Sequence, residues 1–241
     1  MAAFNDAWKV PEHGPVEEVA PGILTVAGEL SLALGRFPRR MTAVRLSAGR
    51  AAIWSAMPLD EAGMARIEAL GRPAVLIVPG MAHRLDARAW LKRYPTMKVL
   101  CPPGAVAKVE QAVAVDDTSG AVLQDADTQF RVVSGTGLDE AALLVRRGRD
   151  LTLVLNDVLA NVRNPRGMGA NAMARLMGFG VARPEVPWLG RRMLIEDELA
   201  FAGCLQRWAG ERDLKRIIVS HGDVITRNPR EELARIARGF L

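Results

Sequence analysis

Two histidines and one aspartate lie where they could do chemistry together. His221 follows the apolar run RIIVS, Asp157 follows LTLVL, and His83 follows AVLIV after a short turn. Ligands and catalytic groups of α/β folds collect at the carboxyl ends of strands. The three side chains are therefore predicted to meet on one rim of the fold. The remaining histidine, His13, lies in PEHGP, which is typical of a solvated loop.

Two interpretations of Asp157 and His221 stay open. In the one that we favour, the two groups only satisfy each other's hydrogen bonds, as buried polar groups generally do. In the other, Asp157 orients His221 as a general acid or base. The same choice applies to His83. Asp86 is expected to be the N-cap of the following helix rather than a catalytic group.

Motifs of several other chemistries are missing from the sequence. It contains no G-x-S-x-G nucleophile turn and no Walker A loop. The two cysteines, Cys101 and Cys204, belong to no CxxC or Cys/His cluster, which excludes a zinc finger. Both lie in apolar patterns and are expected to be buried, reduced thiols, which fits a cytoplasmic protein.

The composition indicates a globular protein. The chain has 241 residues, of which 49% are hydrophobic and 24% charged. Its formal net charge of +5 permits an anionic partner without requiring one. No apolar run approaches the roughly 18 residues of a membrane span, and the N-terminal residues lack the pattern of a signal peptide. We expect no membrane span and a cytoplasmic location.

The elements that must position these groups begin with β structure. The predicted strands of the first half are 23–26, 41–46, 51–54, 74–78 and 97–101. The predicted helices of this half are 59–70, 86–94 and 104–115. Strand and helix alternate from 74 to 115, which suggests parallel βα units.

The second half repeats this order with different spacing. The predicted strands are 130–133, 141–147, 151–155 and 216–220, and the predicted helices are 196–209 and one that begins at Asn228–Pro229. Two sheets with helices outside would give an α/β domain of four layers. Periodicity alone does not separate this arrangement from a three-layer α/β fold.

A family resemblance favours the four-layer arrangement over the three-layer fold. Four segments, PGILTV (21–26), RMTAVRL (40–46), ARAWLKRYP (87–95) and CPPG (101–104), together with the order of the strand ends, resemble a little-characterised branch of the metallo-β-lactamase-fold superfamily. The resemblance runs from about Val16 to the C-terminus. It implies an αββα sandwich of two mixed sheets face to face, with residues 1–241 forming one domain.

The turn that carries metal ligands in that family is altered in this chain. The family motif T-H-x-H-x-D-H falls on residues 78–84, VPGMAHR. Pro79 and Met81 stand where two histidine ligands are expected, His83 stands in the place of the aspartate, and Arg84 in that of the last histidine. Proline offers no side-chain donor, and a guanidinium cation repels a metal ion.

The other ligand positions are kept in part. Thr136 replaces the next histidine, whereas the resemblance keeps the bridging aspartate as Asp157 and the final histidine as His221. We therefore expect no tightly bound zinc and no cofactor. The favoured function is a degenerate family member without metal-dependent hydrolase activity, whose pocket binds a small molecule or a protein. That pocket is predicted to contain His83, Arg84, Asp86, Thr136, Asp157 and His221.

In the alternative interpretation, the protein is an enzyme. It is then a hydrolase with a rearranged site in which Asp157 and His221, with His83 if the turn is distorted, hold one zinc or other divalent ion weakly.

A third function depends on residues 161–195. This segment contains six arginines and a single acid, Glu185, interleaved with methionines. We favour a crossover that covers the mouth of the site, and the alternative is a surface for an anionic or apolar partner. The scarcity of aromatic residues argues against nucleic-acid binding. The arginines assigned to such a surface are Arg163, Arg166, Arg191 and Arg192.

Overall fold

The computed structural model describes residues 4–32, 35–163, 165 and 168–241. Their strands form one sheet of six and one of four. The first sheet, in chain order, contains β1 (Glu17–Ala20), β2 (Ile23–Leu32), β3 (Gly35–Leu46), β4 (Arg50–Trp54), β5 (Arg72–Ile77) and β6 (Lys98–Leu100). The second sheet contains β7 (Thr128–Val132), β8 (Ala141–Arg147), β9 (Asp150–Asn161) and β10 (Leu214–Gly222), in the order β10-β9-β8-β7.

Helices flank both sheets. The α-helices are α1 (Glu61–Leu70), α2 (Ala87–Arg93), α3 (Val106–Val109), α4 (Met168–Leu176), α5 (Trp188–Leu194), α6 (Glu198–Gly210) and α7 (Pro229–Arg238), with short 3₁₀ turns at Pro103–Ala105 and Ala121–Leu123. None of the helices in the described ranges is long and apolar enough to cross a bilayer.

Three hydrophobic clusters establish the four layers. One cluster lies between the sheets and joins Trp54 and Ile77 of the first sheet to Leu143 and Val154 of the second. Another packs α1 and α2 onto the outer face of the first sheet. The last packs α6 and α7 onto the outer face of the second sheet. The predicted αββα sandwich is therefore confirmed.

Each sheet changes from antiparallel to parallel pairing. In the first sheet, β1 to β4 pair antiparallel, whereas β4, β5 and β6 pair parallel. In the second sheet, β7, β8 and β9 pair antiparallel, and β9 pairs parallel with β10. The parallel strands place their carboxyl ends at a common edge of the sandwich, where ligands of such folds bind.

Several predicted boundaries are wrong. The helix predicted at 104–115 shrinks to a 3₁₀ turn and the four residues of α3, because Gln111–Val115 follow as turns and irregular chain. The strand predicted at 151–155 continues to Asn161. Neither α4 nor α5 was predicted within residues 161–195. The expectation that Cys101 and Cys204 are buried and free is confirmed.

Candidate functional site

A bulge in β9 presents Asp157 to the edge of the sandwich. Val219 of β10 pairs with Leu155, but His221 pairs with Ala160. Four residues of β9 therefore oppose one residue of β10. Bulges of this kind turn a side chain out of its regular direction and are frequent beside functional sites. Asp157 thus lies within a strand rather than after it, because the buried residues Val158, Leu159 and Ala160 continue β9.

His83, Asp157 and His221 meet at this edge, as predicted. The Nε2 atom of His221 lies 2.8 Å from Oδ1 of Asp157, and the Nε2 atom of His83 lies 3.1 Å from the same oxygen. The two imidazole centroids are 5.2 Å apart. Side-chain exposure is only 10% for His83, 23% for Asp157 and 13% for His221. One carboxylate oxygen is therefore shared by two nearly buried imidazoles.

A second hydrogen bond fixes each ring from its other nitrogen. Nδ1 of His221 lies 2.8 Å from the carbonyl oxygen of Pro38 in β3, and Nδ1 of His83 lies 2.5 Å from Oγ of Ser55, directly after β4. Phe37 also packs against the His221 ring, with centroids 4.7 Å apart. Both imidazoles are thus held with Nε2 facing Asp157.

The partners of His221 determine its protonation. Because a carbonyl only accepts hydrogen bonds, Nδ1 carries a hydrogen, and Nε2 then donates to the Asp157 carboxylate only as an imidazolium. Burial alone would lower the pKa of His221, but its hydrogen bond to Asp157 and the charge of that carboxylate raise the pKa above its usual value. Burial would raise the pKa of Asp157, but the charges and hydrogen bonds of His83 and His221 hold it well below its usual value.

A buried acid supports the bulge from below. Glu140 is 1% exposed and accepts hydrogen bonds from Nδ2 of Asn156, at 3.2 Å, and from the backbone N–H of Asp157, at 3.2 Å. Burial and the neighbouring charge of Asp157 raise the pKa of Glu140 well above its usual value. Its carboxyl group lies against Gly80, where an added Cβ would overlap Oε1. Glu140 thereby ties the turn before His83 to β9.

The other predicted pocket residues are engaged elsewhere. Thr136 is buried and donates its hydroxyl to the carbonyl of Val133 at 2.8 Å. Arg84 donates to the carbonyl of Met81 and lies over the ring of Phe4. Neither side chain hydrogen-bonds the three clustered residues.

Asp86 occupies the predicted N-cap position of α2, but its side chain does not cap the helix. It instead accepts from Nη1 of Arg39 at 2.6 Å and from Nδ2 of Asn5 at 2.7 Å. The carboxylate therefore anchors the turn to β3 through a charge-assisted hydrogen bond with Arg39.

The arginines of the proposed partner surface have different environments. Arg191 binds both carboxylate oxygens of Glu198, at 2.8 and 2.9 Å, and lies over the ring of Phe240. Arg163 donates to the carbonyl of Ala182. Arg192 is exposed on α5, and Arg166 lies outside the described residues. The backbone of α5 rests on the bulge, since a Cβ on Gly190 would lie 3.2 Å from the Asp157 carbonyl.

Sequence reasoning missed Ser55, Glu140 and Arg39. Ser55 carried a usable signal, because it directly follows the apolar strand RAAIW, just as His221 and Asp157 follow apolar runs. Glu140 and Arg39 had no such signal in the sequence. Each becomes part of the site only through residues more than ten positions away, namely Asn156 and Asp86.

The three clustered side chains fit a metal ion. Their donor atoms lie within 4.8 Å of one another, and two imidazoles with one carboxylate are a ligand set of zinc and of other first-row divalent ions. Two donors bound to one zinc at ~2.1 Å lie roughly 3.0–3.4 Å apart, close to the 2.8 and 3.1 Å measured to Oδ1. Hydrogen bonds on Nδ1, of the kind that Ser55 and Pro38 supply, commonly orient histidine ligands.

Comparison by sequence finds no matching family model and no matching curated protein. Comparison by structure finds the DIM-1 metallo-β-lactamase exposed to ceftazidime, at 13% identity and a TM-score of 0.62, covering 96% of this chain and 99% of that one. A metallo-β-lactamase from Erythrobacter litoralis with β-mercaptoethanol in its active site matches at 12% identity and a TM-score of 0.62, covering 93% of this chain and 96% of that one. The metallo-β-lactamase FIM-1 from Pseudomonas aeruginosa, in its mono-zinc form, matches at 13% identity and a TM-score of 0.60, covering 97% of this chain and 98% of that one. Identities this low speak to the fold alone.

Proposed function

We propose that this chain, which has the metallo-β-lactamase fold, is a hydrolase with a rearranged site for a single divalent ion. His83, Asp157 and His221 would hold the ion. This was the alternative left open by the sequence, and one observation now favours it: two imidazole Nε2 atoms face the same carboxylate oxygen, at 2.8 and 3.1 Å. The earlier expectation of a binding protein without metal stays a prediction.

The arrangement explains how a chain lacking most of the family ligands keeps a site. Met81 packs against the hydrophobic cluster of the first sheet and the Pro79 carbonyl accepts from Ala141, so the turn has a structural role at both positions. His83, in the place of the family aspartate, supplies the imidazole that these positions do not. Three protein ligands leave coordination positions for water, as in catalytic zinc sites.

The residues around the cluster would prepare it for hydrolysis. A bound divalent ion lowers the pKa of water and polarises a carbonyl oxygen. Ser55 and the Pro38 carbonyl hold the two rings in place from Nδ1. Asp157 offers a carboxylate oxygen that both imidazoles face, and an anionic carboxylate is the form that binds a cation. The ester or lactone class of substrate is our proposal from this chemistry.

The test is turnover of p-nitrophenyl acetate and of a simple lactone by chelator-treated protein. Added Zn²⁺ or Mn²⁺ is expected to raise the rate in the wild type and in His13→Ala, a matched control whose imidazole bonds Gly14 and Asp60 instead. The increase should disappear in His221→Ala. An equal metal response in His221→Ala, or no response in any protein, would contradict the proposal.

A second candidate function is partner binding through residues 161–195. Helix α5 has no buried residue and exposes 51% of Trp188 and 64% of Met193, beside the exposed Arg192. If this surface binds the physiological ligand, neutralising Arg191 and Arg192 should weaken binding while His221→Ala leaves it unchanged. If His221→Ala weakened binding and neutralising the two arginines did not, the ligand would bind at the His83–Asp157–His221 cluster instead.

A further inference from the structure

Ser55 has an unusual backbone conformation at the carboxyl end of β4. Its φ is +54°, in the left-handed region that residues other than glycine seldom adopt. Its N–H donates to the carbonyl of Ile77 at 3.1 Å, which fixes the residue between β4 and β5. It is 6% exposed. Strained residues of this kind cluster at functional sites because the surrounding structure holds them there.

The hydroxyl of Ser55 begins a directed chain of hydrogen bonds. Its Oγ lies 2.5 Å from Nδ1 of His83, whose Nε2 lies 3.1 Å from Oδ1 of Asp157. Because a carboxylate only accepts, Nε2 carries the hydrogen of that bond. In the neutral form of this imidazole the lone pair is on Nδ1, and in that form Ser55 donates to His83. A hydroxyl, a base and an orienting carboxylate thus stand in the order required for nucleophilic catalysis.

The hydrogen-bond chain Ser55–His83–Asp157 is fixed at Asp157 and borders solvent at His83. Oδ1 of Asp157 also accepts a hydrogen bond from Nε2 of His221, and the carbonyl of Pro38 fixes the ring of His221. The side chains of His83 and Asp157 are 10% and 23% exposed, so the base and the carboxylate border the solvent. The Ser55 hydroxyl lies immediately behind the His83 imidazole, at hydrogen-bond distance.

We propose that the metal-free protein transfers acyl groups from activated esters through Ser55. Oγ attacks the carbonyl carbon and passes its proton to Nδ1 of His83. The bond from that carbon to the alcohol oxygen breaks, and the leaving alcohol takes the proton from His83. Water then attacks the seryl ester, gives a proton to His83, and releases the acid as Oγ recovers its proton.

This activity goes beyond the proposed function, because it uses His83 as a base rather than as a metal ligand. The two roles require opposite directions of the Ser55–His83 hydrogen bond. When Nε2 binds an ion, Nδ1 carries the hydrogen and donates to Ser55. When no ion is present and the imidazole is neutral, Ser55 donates and becomes the nucleophile. The same four side chains therefore support two mutually exclusive states.

The experiment treats chelator-treated full-length protein with a fluorophosphonate, which forms a stable bond to an activated serine Oγ as fluoride leaves. Peptide mass spectrometry is expected to place the adduct on Ser55, and p-nitrophenyl acetate should give a burst of one p-nitrophenol per chain. Labelling should fall ~100-fold or more in His83→Ala, the range for loss of a general base. Ser47→Ala, which removes an exposed serine bonded to the Gln124 carbonyl, should label like the wild type.

Two variants remove the nucleophile itself. Ser55→Gly suits the positive φ without strain and is expected to fold and to lose the label, and Ser55→Ala checks the result with a Cβ present. No adduct on the wild type, an adduct on another residue, or undiminished labelling of Ser55→Gly would overturn the proposal. Since labelling is measured without metal, its failure is distinguishable from a failure to bind an ion.

Discussion

At the scale of single residues, the site depends on polar groups that are nearly buried and bound to a polar partner. The Asp86–Arg39 ion pair shows this outside the cluster itself. The Asp86 side chain is 0% exposed and that of Arg39 is 12% exposed, with an N–O distance of 2.6 Å. Removing one member of such a pair leaves the other charge uncompensated, which is the main source of its effect on stability.

We expect Asp86→Ala to lower the free energy of unfolding by about 3–5 kcal/mol, because Arg39 would be left without its counter-ion. Urea unfolding measures this directly. The matched control is Glu61→Ala, which breaks a solvent-exposed pair with Arg93 and should have a much smaller effect. Equal effects of the two substitutions would show that the Asp86 pair does not stabilise the turn.

The buried thiol of Cys101 gives a pH-dependent expectation. Burial, with a contribution from Glu110, raises the pKa of Cys101 to about 11. An unfolded thiol titrates near ~8.5, so the folded state keeps its proton longer and stability falls as pH rises from there toward 11. The slope should approach ~1.4 kcal/mol per pH unit. Cys101→Ala removes this component, so a wild-type-minus-variant difference in unfolding free energy that stays constant from pH 8 to 10 would contradict it.

At the scale of elements, burial separates the helices that hold the fold from those at its surface. Phe201 of α6 is 0% exposed and packs edge-on against Phe240, with centroids 5.0 Å apart. Trp188 of α5 is 51% exposed. Three residues separate the two helices in the chain, yet only α6 contributes to the hydrophobic cluster on the outer face of the second sheet.

We expect Phe201→Ala to lower the free energy of unfolding by about 3–5 kcal/mol through lost burial and an unfilled cavity. Trp188→Ser should lower it by only about 1 kcal/mol, because half of the side chain is already in solvent. Chemical denaturation of both variants supplies the comparison. A large effect of Trp188→Ser would mean that α5 is covered in solution.

The elements also show what the sequence could and could not predict. Strands β2 to β10 and helices α1, α2, α6 and α7 were predicted, because each contains an apolar run or an apolar periodicity. The convergence of His83, Asp157 and His221 was predicted because each follows such a run. The bulge of β9 was not predicted, since three extra residues in one strand leave no periodic signal. The contacts of Glu140 and Arg39 depend on chain segments brought together only by the fold.

At the scale of the whole molecule, the two sheets share a core. Trp54 and Ile77 of the first sheet and Leu143 and Val154 of the second belong to one buried cluster. The site lies across the same interface, since Ser55 and His83 follow strands of the first sheet while Asp157 and His221 lie in strands of the second. We therefore propose that residues 1–241 form a single domain.

A single domain should unfold in one cooperative transition. Circular dichroism at far-ultraviolet wavelengths follows all the elements, whereas tryptophan fluorescence follows mainly Trp8, Trp54 and Trp90 of the first half and Trp188 and Trp208 of the second. We expect the two denaturation curves to coincide. Separate midpoints would indicate that the two sheets unfold independently.

The central claim is that His83, Asp157 and His221 together hold one divalent ion, and calorimetric titration of chelator-treated protein with Zn²⁺ tests it most directly. The expected result is one ion per chain in the wild type and in His13→Ala, with binding lost in His83→Ala and in His221→Ala. No binding to the wild type, or the same binding in all four proteins, would contradict the claim.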